Sequence, residues 1–373
     1  MARILISCGP IPARVDSVKY ITNRFKGGLA FKTAQMLSDN HAITIVKWKH
    51  TPLPRAFSQA CVLDVEDVND YINAVLAHKY DLYIMAAAVA NLTPVNPWEG
   101  KFPSHKYKVG EKFNIEFKIA DRVIDMVKAK YPRSGLVGYK LFDGPEDELI
   151  DAAWKTLKES KANIVFANTP DRAKYEKIAI TSDGSEQRMT FDQHISMIDK
   201  LANAKYYKTI KNPSLLTLSK KDKEKVDHIM STLPIVEKRG HKYGTFALKL
   251  GANSFITTSR GKKSKEYVIV SMINHSDKIV NVCLNSNTDK ATLNAPLLDK
   301  VLKRLPEANI VLHGHQVISN RLYIPYAFPG TTEETLIAEA ISEVGKAINI
   351  AGHGYMVALK DIEHYNEWIH GLE

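Results

Sequence analysis

The sequence has no continuous apolar run of the ~18–20 residues that a membrane-spanning helix requires, and its first residues lack the charged-then-apolar layout of a secretory signal. No membrane association is expected, and cytoplasmic residence is the default expectation. Cysteine is scarce. Cys8, Cys61 and Cys283 lie far apart and form no C-x-x-C pair, so buried free thiols are expected rather than a disulfide framework. No repeat or low-complexity segment interrupts the chain. The opening strand is followed by neither G-x-G-x-x-G nor G-x-x-x-x-G-K-[ST], which excludes a dinucleotide fingerprint and a P-loop there.

What is present fits a soluble globular protein: 373 residues, 45% hydrophobic and 25% charged, long enough for two cores. The formal net charge of +10 suits anionic ligands such as nucleotides. The lysines are dispersed, however, and the densest runs, "SKKDKEKVDH" and "SRGKKSKE", are mixed or short. They read as solvated surface and argue against nucleic acid as a partner.

Apolar strands alternate with amphipathic helices through the first half. "RILISCG", "AITIVKW", "DLYIMAAAVAN", "GLVGYKLF" and "NIVFANTP" are strand candidates, separated by helical patterns such as "EDELIDAAWKTLKES". Continuous apolar strands of this kind predict a Rossmann-like parallel sheet covered on both faces. "KIAITSDGSEQRMTF" predicts a hairpin turning at Asp183-Gly184, and "FDQHISMIDKLANA" a closing helix. The second half differs. "GTFALKL", "NSFITTS", "YVIVSMINH" and "KIVNVCLNS" are consecutive strands, followed by the helices "APLLDKVLKRL" and "TEETLIAEAISEV" among further strands. That order predicts an α+β domain with an antiparallel sheet. The expected organisation is 1–205, a linker and helix over 206–229, and 230–373.

Ligands of open parallel sheets lie beyond the carboxyl ends of the strands. The loop opening at Gly9 offers amides, Asn23 and Arg24, and Gly27-Gly28 starts a helix whose free N–H groups favour anions. The alanines of "AAAVAN", around Ala88, let a planar ligand or another backbone come close. In "PSHKYKVGEK", Lys106 and Lys108 alternate on a segment read as extended, on a lysine-rich excursion over 92–118 that is able to clamp a triphosphate.

These stretches resemble phosphopantothenate–cysteine ligase, the phosphopantothenoylcysteine synthetase half of the DFP flavoprotein family, over residues 3–205. "GPIPARVDSVKYITN" matches that family's glycine-led loop through an aspartate to Y-I-[ST]-N. "AAAVANLTP" resembles A-A-V-A-D-Y-x-P, "HKYK" the K-x-K-K flap, "GYKLF" G-F-x-x-E, and "FANTP" A-N-D. The resemblance implies a ligase that activates a carboxylate with CTP or ATP and Mg²⁺, then joins it to an amine in coenzyme A biosynthesis. It implies Asn23 and Lys106 as catalytic residues, with Asn23, Arg24 and Asn168 on the acyl substrate. Gly9, Ala88, Asn91, Lys106, Asp121, Arg122, Val123, Ile124, Tyr139, Lys155 and Lys158 would hold the nucleotide. Departures stand at Ile11-Pro12-Ala13 for T-R-E, Phe25-Lys26-Gly27-Gly28 for S-S-G-K, Asn91 for aspartate, and Asn168-Thr169 for N-D.

In the second half, "IVLHGHQV" puts His313 and His315 on one face of a strand, and "AINIAGHGYMV" supplies His353. Three histidines suit a zinc site with an open position, and the adjacent glycines are expected to let a ligand approach. Residues 230–373 resemble the class II aldolase/adducin family: "GTFALKLGANSFITTSRG" its G-N-[IV]-S-x-R…I-T-P-[ST]-G, "ANIVLHGHQV" its H-x-H, "AINIAGHGYMV" its distal N-H-G, and "PYAFPGTTEE" its G-T-x-E segment. That resemblance implies Zn²⁺, or another divalent metal, polarising a carbonyl while a glutamate moves the proton. Asn294 stands where the glutamate is expected and Thr245 where a phosphate-binding asparagine is expected. Two alternatives stay open: a zinc-dependent aldolase or dehydratase acting on a sugar phosphate, and a non-catalytic ligand-binding or assembly protein. Both resemblances imply a homo-oligomer.

Overall fold

The computed structural model describes residues 1–57, 60–172, 176–261 and 266–372, so part of the "SRGKKSKE" run lies outside the described residues. The chain divides into two compact units. The first holds residues 1–182 and 187–203; the second holds 183–186 and 204–373.

In the first unit β1 (Arg3–Cys8) leads through a long loop to α1 (Gly28–Ser38), β2 (Ala42–Trp48), β3 (Cys61–Val65), α2 (Val68–Ala77) and β4 (Leu82–Met85). Then come α3 (Val123–Lys130), β5 (Gly135–Leu141), α4 (Glu146–Ser160), β6 (Ile164–Asn168), β7 (Glu176–Thr181), β8 (Glu186–Thr190) and α5 (Phe191–Asn203). They form one sheet in the order β8-β7-β6-β5-β4-β1-β2-β3. Strands β1 to β6 run parallel and β7 turns antiparallel to β6. Ile4, Leu5 and Ile6 are all fully buried, as a central strand covered on both faces demands. The hairpin turns where expected, between β7 and β8. Helix ends follow local chemistry: Asp67 accepts from the amides of Asn69 and Asp70 to start α2, and Glu146, Asp147 and Glu148 favour the positive end of α4.

The order 3-2-1-4-5-6 reverses direction between β1 and β4. At such a reversal the connections from neighbouring strands leave toward opposite faces of the sheet, which is where open α/β sheets place their ligand crevice.

The second unit contains β9 (Lys208–Lys211), α6 (Lys220–Thr232), β10 (Thr245–Lys249), β11 (Phe255–Thr258), β12 (Tyr267–Asn274) and β13 (Ile279–Val282). After them come α7 (Ala295–Arg304), β14 (Ile310–Gly314), β15 (Leu322–Ile324), α8 (Thr332–Thr335), β16 (Ile348–Ile350), β17 (Gly354–Leu359) and α9 (Ile362–His370). The sheet order is β9-β13-β12-β11-β10-β14-β17-β16-β15, antiparallel except for the pairs at its two edges. The stretch 206–229 thus carries an edge strand of this sheet and most of α6. Strand periodicity builds two cores: Ala247, Val268 and Val270 face α7, while Phe246, Leu248 and Ile269 face α6 and α9. Each of Leu297, Leu298 and Val301 buried from α7 contributes roughly 1.5–3 kcal/mol.

Three expectations need correction. Cys61 is exposed, unlike Cys8 and Cys283, because it opens the edge strand β3. The helix expected over "TEETLIAEAISEV" is one short α-turn followed by a 3-10 turn over Leu336–Ala340. Its threonines bond locally, with the Thr335 hydroxyl donating to the Thr332 carbonyl, which weakens helix propagation. Lys106 lies in a 3-10 turn, Ser104–Lys106, so it does not alternate with Lys108 on an extended segment.

Candidate functional sites

The loop after β1 is held by two glycines and one aspartate. Gly9 and Gly27 both have positive φ, +75° and +79°, and a Cβ on Gly27 would stand 2.4 Å from the Gly9 nitrogen. The strand end and the helix start therefore meet backbone to backbone. Gly27→Ala is expected to cost roughly 3 kcal/mol or more, from the left-handed conformation and the clash together. Gly28, with nothing within 4 Å of its Cβ position, tolerates alanine. Urea midpoints of the two variants check this, and equal losses would contradict it.

Asp16 is fully buried within the loop. Its Oδ1 accepts from the amides of Val18 and Lys19, and its Oδ2 from the Phe102 amide and the Lys19 ammonium. Burial opposes ionisation, but these donors prevail and hold the carboxyl well below its ordinary range. The same aspartate thus ties the loop to the base of the 92–118 excursion. That excursion is less polar than its lysines suggest: Phe102 stacks on Phe113 at 4.7 Å and on Tyr107 at 5.2 Å, and Leu92–Pro94 pairs with Phe117–Ile119.

The loops after β1 and β4 zip together. Pro10–Ile11 pairs with Ala88–Val89, the Ala88 amide donates to the Gly9 carbonyl, and the Asn23 amide donates to the Ala88 carbonyl at 3.0 Å. Beside them, past β4 and β5, lies a cavity of about 520 Å³. Asn91, Asp121, Arg122, Val123, Ile124, Tyr139 and Lys155 line it. Gly9, Ala88, Asn23, Arg24, Lys106 and Lys158 lie outside its lining, and Arg24, Lys106 and Lys158 are exposed. Asn168 is buried at the end of β6; with its amide oriented to donate, it reaches the carbonyls of Ala167 and Glu176. Within "AAAVAN", Ala87, Val89 and Ala90 line the cavity while Ala88 meets backbone.

The sequence reading missed Tyr71 from α2 and Ala152, Thr156 and Glu159 from α4. The α4 set was visible in principle: 152, 155, 156 and 159 follow the i, i+3, i+4 rule of one helix face. Arg122 donates to Glu159 at 2.6 Å, and Lys155 lies 3.9 Å from the same carboxylate. With Lys140 and Asp121, three cations face two carboxylates, a modest positive excess. Tyr139 closes the inner wall, its hydroxyl 2.7 Å from His194 Nε2. Burial, and secondarily the Lys177 charge, push His194 down to about 3, so its imidazole is neutral.

In the second site His313 lies on β14, His315 in a bend one residue past its end rather than on the strand as expected, and His353 in the turn before β17. His313, His315 and His353 bring one nitrogen each to within 4.8 Å of one another. His313 Nδ1 lies 2.8 Å from the Tyr355 carbonyl, which makes it the N–H donor and leaves the Nε2 lone pair free of that bond. His313 Nε2 and His353 Nε2 are 3.1 Å apart. A tetrahedral ion bonded at about 2.0–2.1 Å needs roughly 3.3 Å between ligand nitrogens, so these residues fit a divalent metal. Tyr243 stacks on His315 at 4.8 Å.

The flanking glycines serve a purpose other than the one expected. A Cβ on Gly354 would stand 1.9 Å from the Gly314 carbonyl oxygen, and one on Gly314 would stand 2.3 Å from the Tyr355 ring. They let the two strands close on each other rather than admitting a ligand. Thr245 is equally occupied, its hydroxyl 2.7 Å from that of Thr258. Asn294 donates to Glu334 at 2.6 Å, and the Gly330 amide donates to the other Glu334 oxygen at 2.6 Å. Burial first, then the Asp183 charge, push this carboxyl up to about 8 despite both donors.

The first unit is thus a doubly wound α/β domain with its cavity next to the reversal of strand order. Residues 1–210, more than half of the chain, match the family described as DNA/pantothenate metabolism flavoprotein C-terminal domain, and the chain belongs to that family. It is 31% identical over 170 residues to the coenzyme A biosynthesis bifunctional protein CoaBC of Thermococcus kodakarensis, a match covering 45% of this chain. The match spans 41% of that protein's length. Among solved structures, the DNA/pantothenate metabolism flavoprotein of Streptococcus pneumoniae is similar with a TM-score of 0.47 and 21% identity, over 54% of this chain and 97% of that one. The N-terminal class II aldolase domain of a conserved protein from Thermoplasma acidophilum is similar with a TM-score of 0.28 and 15% identity, over 42% of this chain and 92% of that one. Among the described residues no helix is long and apolar enough to cross a membrane.

Proposed function

We propose that the first domain is a nucleotide-dependent acyl-activating ligase of the phosphopantothenate–cysteine ligase type. The observation that carries this reading is the cavity beyond β4 and β5, lined by the 121–124 segment and Tyr139, in a chain of the DNA/pantothenate metabolism family. A substrate carboxylate attacks the α-phosphate of CTP or ATP, forming a P–O bond and releasing pyrophosphate. The cysteine amine then displaces the nucleotide monophosphate, leaving an amide. Tyr139 and residues 121–124 would flank the base, while Arg122 and Lys155 offset phosphate charge. The first amides of α1, which no side chain caps, add N–H donors, and Lys106 and Lys158 would approach the phosphates from outside the cavity. Asn23, bonded to the Ala88 carbonyl, would position the acyl group together with Arg24. Mg²⁺ would be held mainly by phosphate oxygens and water, because Glu159 is committed to Arg122 and Asp121 alone is left as a cavity carboxylate.

The second domain would hold Zn²⁺ or a similar ion on His313, His315 and His353. A bound ion there supplies Lewis acidity toward a carbonyl or phosphoryl oxygen. The test of the ligase reading is pyrophosphate release from CTP and from ATP, each with phosphopantothenate and cysteine. Arg122→Ala is expected to weaken nucleotide binding about tenfold by calorimetry, the loss of roughly 1.4 kcal/mol. Wild-type protein showing neither nucleotide heat nor pyrophosphate would end the proposal.

A further inference from the structure

Asp183 occupies the turn between β7 and β8 and is counted with the second unit. Its carboxylate is divided between two tasks. Oδ1 accepts from the Ser185 amide at 3.2 Å, which closes the turn. Oδ2 accepts from the Tyr326 hydroxyl and lies 3.5 Å from His353 Nδ1. The neighbours fix this placement further. Gly184 has φ +88°, and a Cβ there would stand 2.6 Å from the Tyr243 ring, the same ring that stacks on His315. The Gly184 carbonyl also accepts from the Lys238 ammonium at 3.4 Å. The carboxylate is buried, with 8% of its side chain exposed, as is the His353 side chain with 3%.

We propose that Asp183 is a positioning residue for the histidine metal site, taking the Nδ1–H of His353 and so presenting His353 Nε2 to the ion. This rests on the metal reading above. A histidine ligand needs one nitrogen protonated and pointed away from the ion, and its partner there sets tautomer and ring angle. His313 uses the Tyr355 carbonyl for that purpose. His353 has a carboxylate instead, which adds negative charge near the ion and raises the basicity of the ligand. Tyr326 anchors the carboxylate through Oδ2, the same oxygen that faces His353. The residue stands 130 positions before His313, so no local spacing announces it.

The experiment titrates Zn²⁺ against a chromophoric chelator in wild type, Asp183→Ala, Asp183→Asn and Tyr326→Phe, with thermal melts of each. Nitrogen-15 spectra of the metal-free proteins read the His353 tautomer independently. Wild type is expected to take one ion per chain. Asp183→Ala is expected to bind it 10–100-fold more weakly and to lose the fixed Nδ1–H tautomer. Asp183→Asn, which keeps an acceptor without the charge, is expected to fall between, and Tyr326→Phe to lose a few-fold at about the wild-type melting temperature. A merely structural aspartate would lower the melting temperature and leave zinc affinity within twofold in every variant that folds; that result overturns the proposal. A wild type that takes up no zinc overturns the metal reading and this proposal with it. Normal wild-type uptake with unaffected variants overturns this one alone.

Discussion

Replacing His313 by alanine is expected to weaken Zn²⁺ binding about a thousandfold or more, which corresponds to roughly 4 kcal/mol. The imidazole is fixed by the Tyr355 carbonyl at Nδ1, which leaves Nε2 3.1 Å from His353 Nε2 and free to share an ion with it. The variant also leaves the buried Tyr355 carbonyl without this donor and opens a small void, at a stability cost of about 1–3 kcal/mol. His315→Ala separates the two effects. Its side chain is only partly buried, so metal affinity is expected to drop while stability falls much less. Competition titrations and urea midpoints on the same preparations check both expectations. Wild-type zinc affinity in His313→Ala would refute the assignment.

The second large effect is on pH dependence. Glu334 is 2% exposed, and its carboxyl is pushed from about 4.5 in the free chain to about 8 in the folded protein, by burial first and by the Asp183 charge in addition. A carboxyl raised on folding holds a proton in the native state that the unfolded chain has already released. Stability from this group is therefore greatest below about pH 4.5 and declines as pH rises toward about 8, by roughly 1.4 kcal/mol per pH unit. Above that the decline from this source stops. Glu334→Gln removes the ionisation and is expected to flatten the slope between pH 5.5 and 8, at the cost of one mismatched donor against Gly330 or Asn294. Urea titrations at four pH values in that range test it. Parallel slopes for wild type and variant would show that Glu334 does not titrate as stated.

Much of the architecture was legible because it follows from periodicity. Short apolar runs rich in β-branched residues and bounded by turn signals, such as "RILISC" and "NIVFAN", read as strands buried on both faces, and successive residues of "GTFALKL" turn to opposite cores. The Asp183-Gly184 turn and the three histidines were likewise readable as local patterns. What escaped has one physical origin, contact between residues remote in sequence. Nothing near Asp16 announces that Phe102 will donate to it, and nothing near Asn294 announces Glu334, forty residues on. The placement of Lys106 failed for a different reason. Alternating lysines imply a shared face only on an extended segment, and Pro103 with the ring stack around Phe102 curls that segment into a turn. The glycines beside the histidines were read as room for a ligand because a missing side chain does not say what fills its place; here a carbonyl oxygen and a tyrosine ring do.

The buried carboxylate of Asp16 has a mechanical consequence for the first domain. Because one side chain clasps both the segment that follows β1 and the foot of the aromatic-pinned excursion, neither can drift far without dragging the other. Two stretches 86 residues apart in the chain are thus braced as one piece by a single buried side chain.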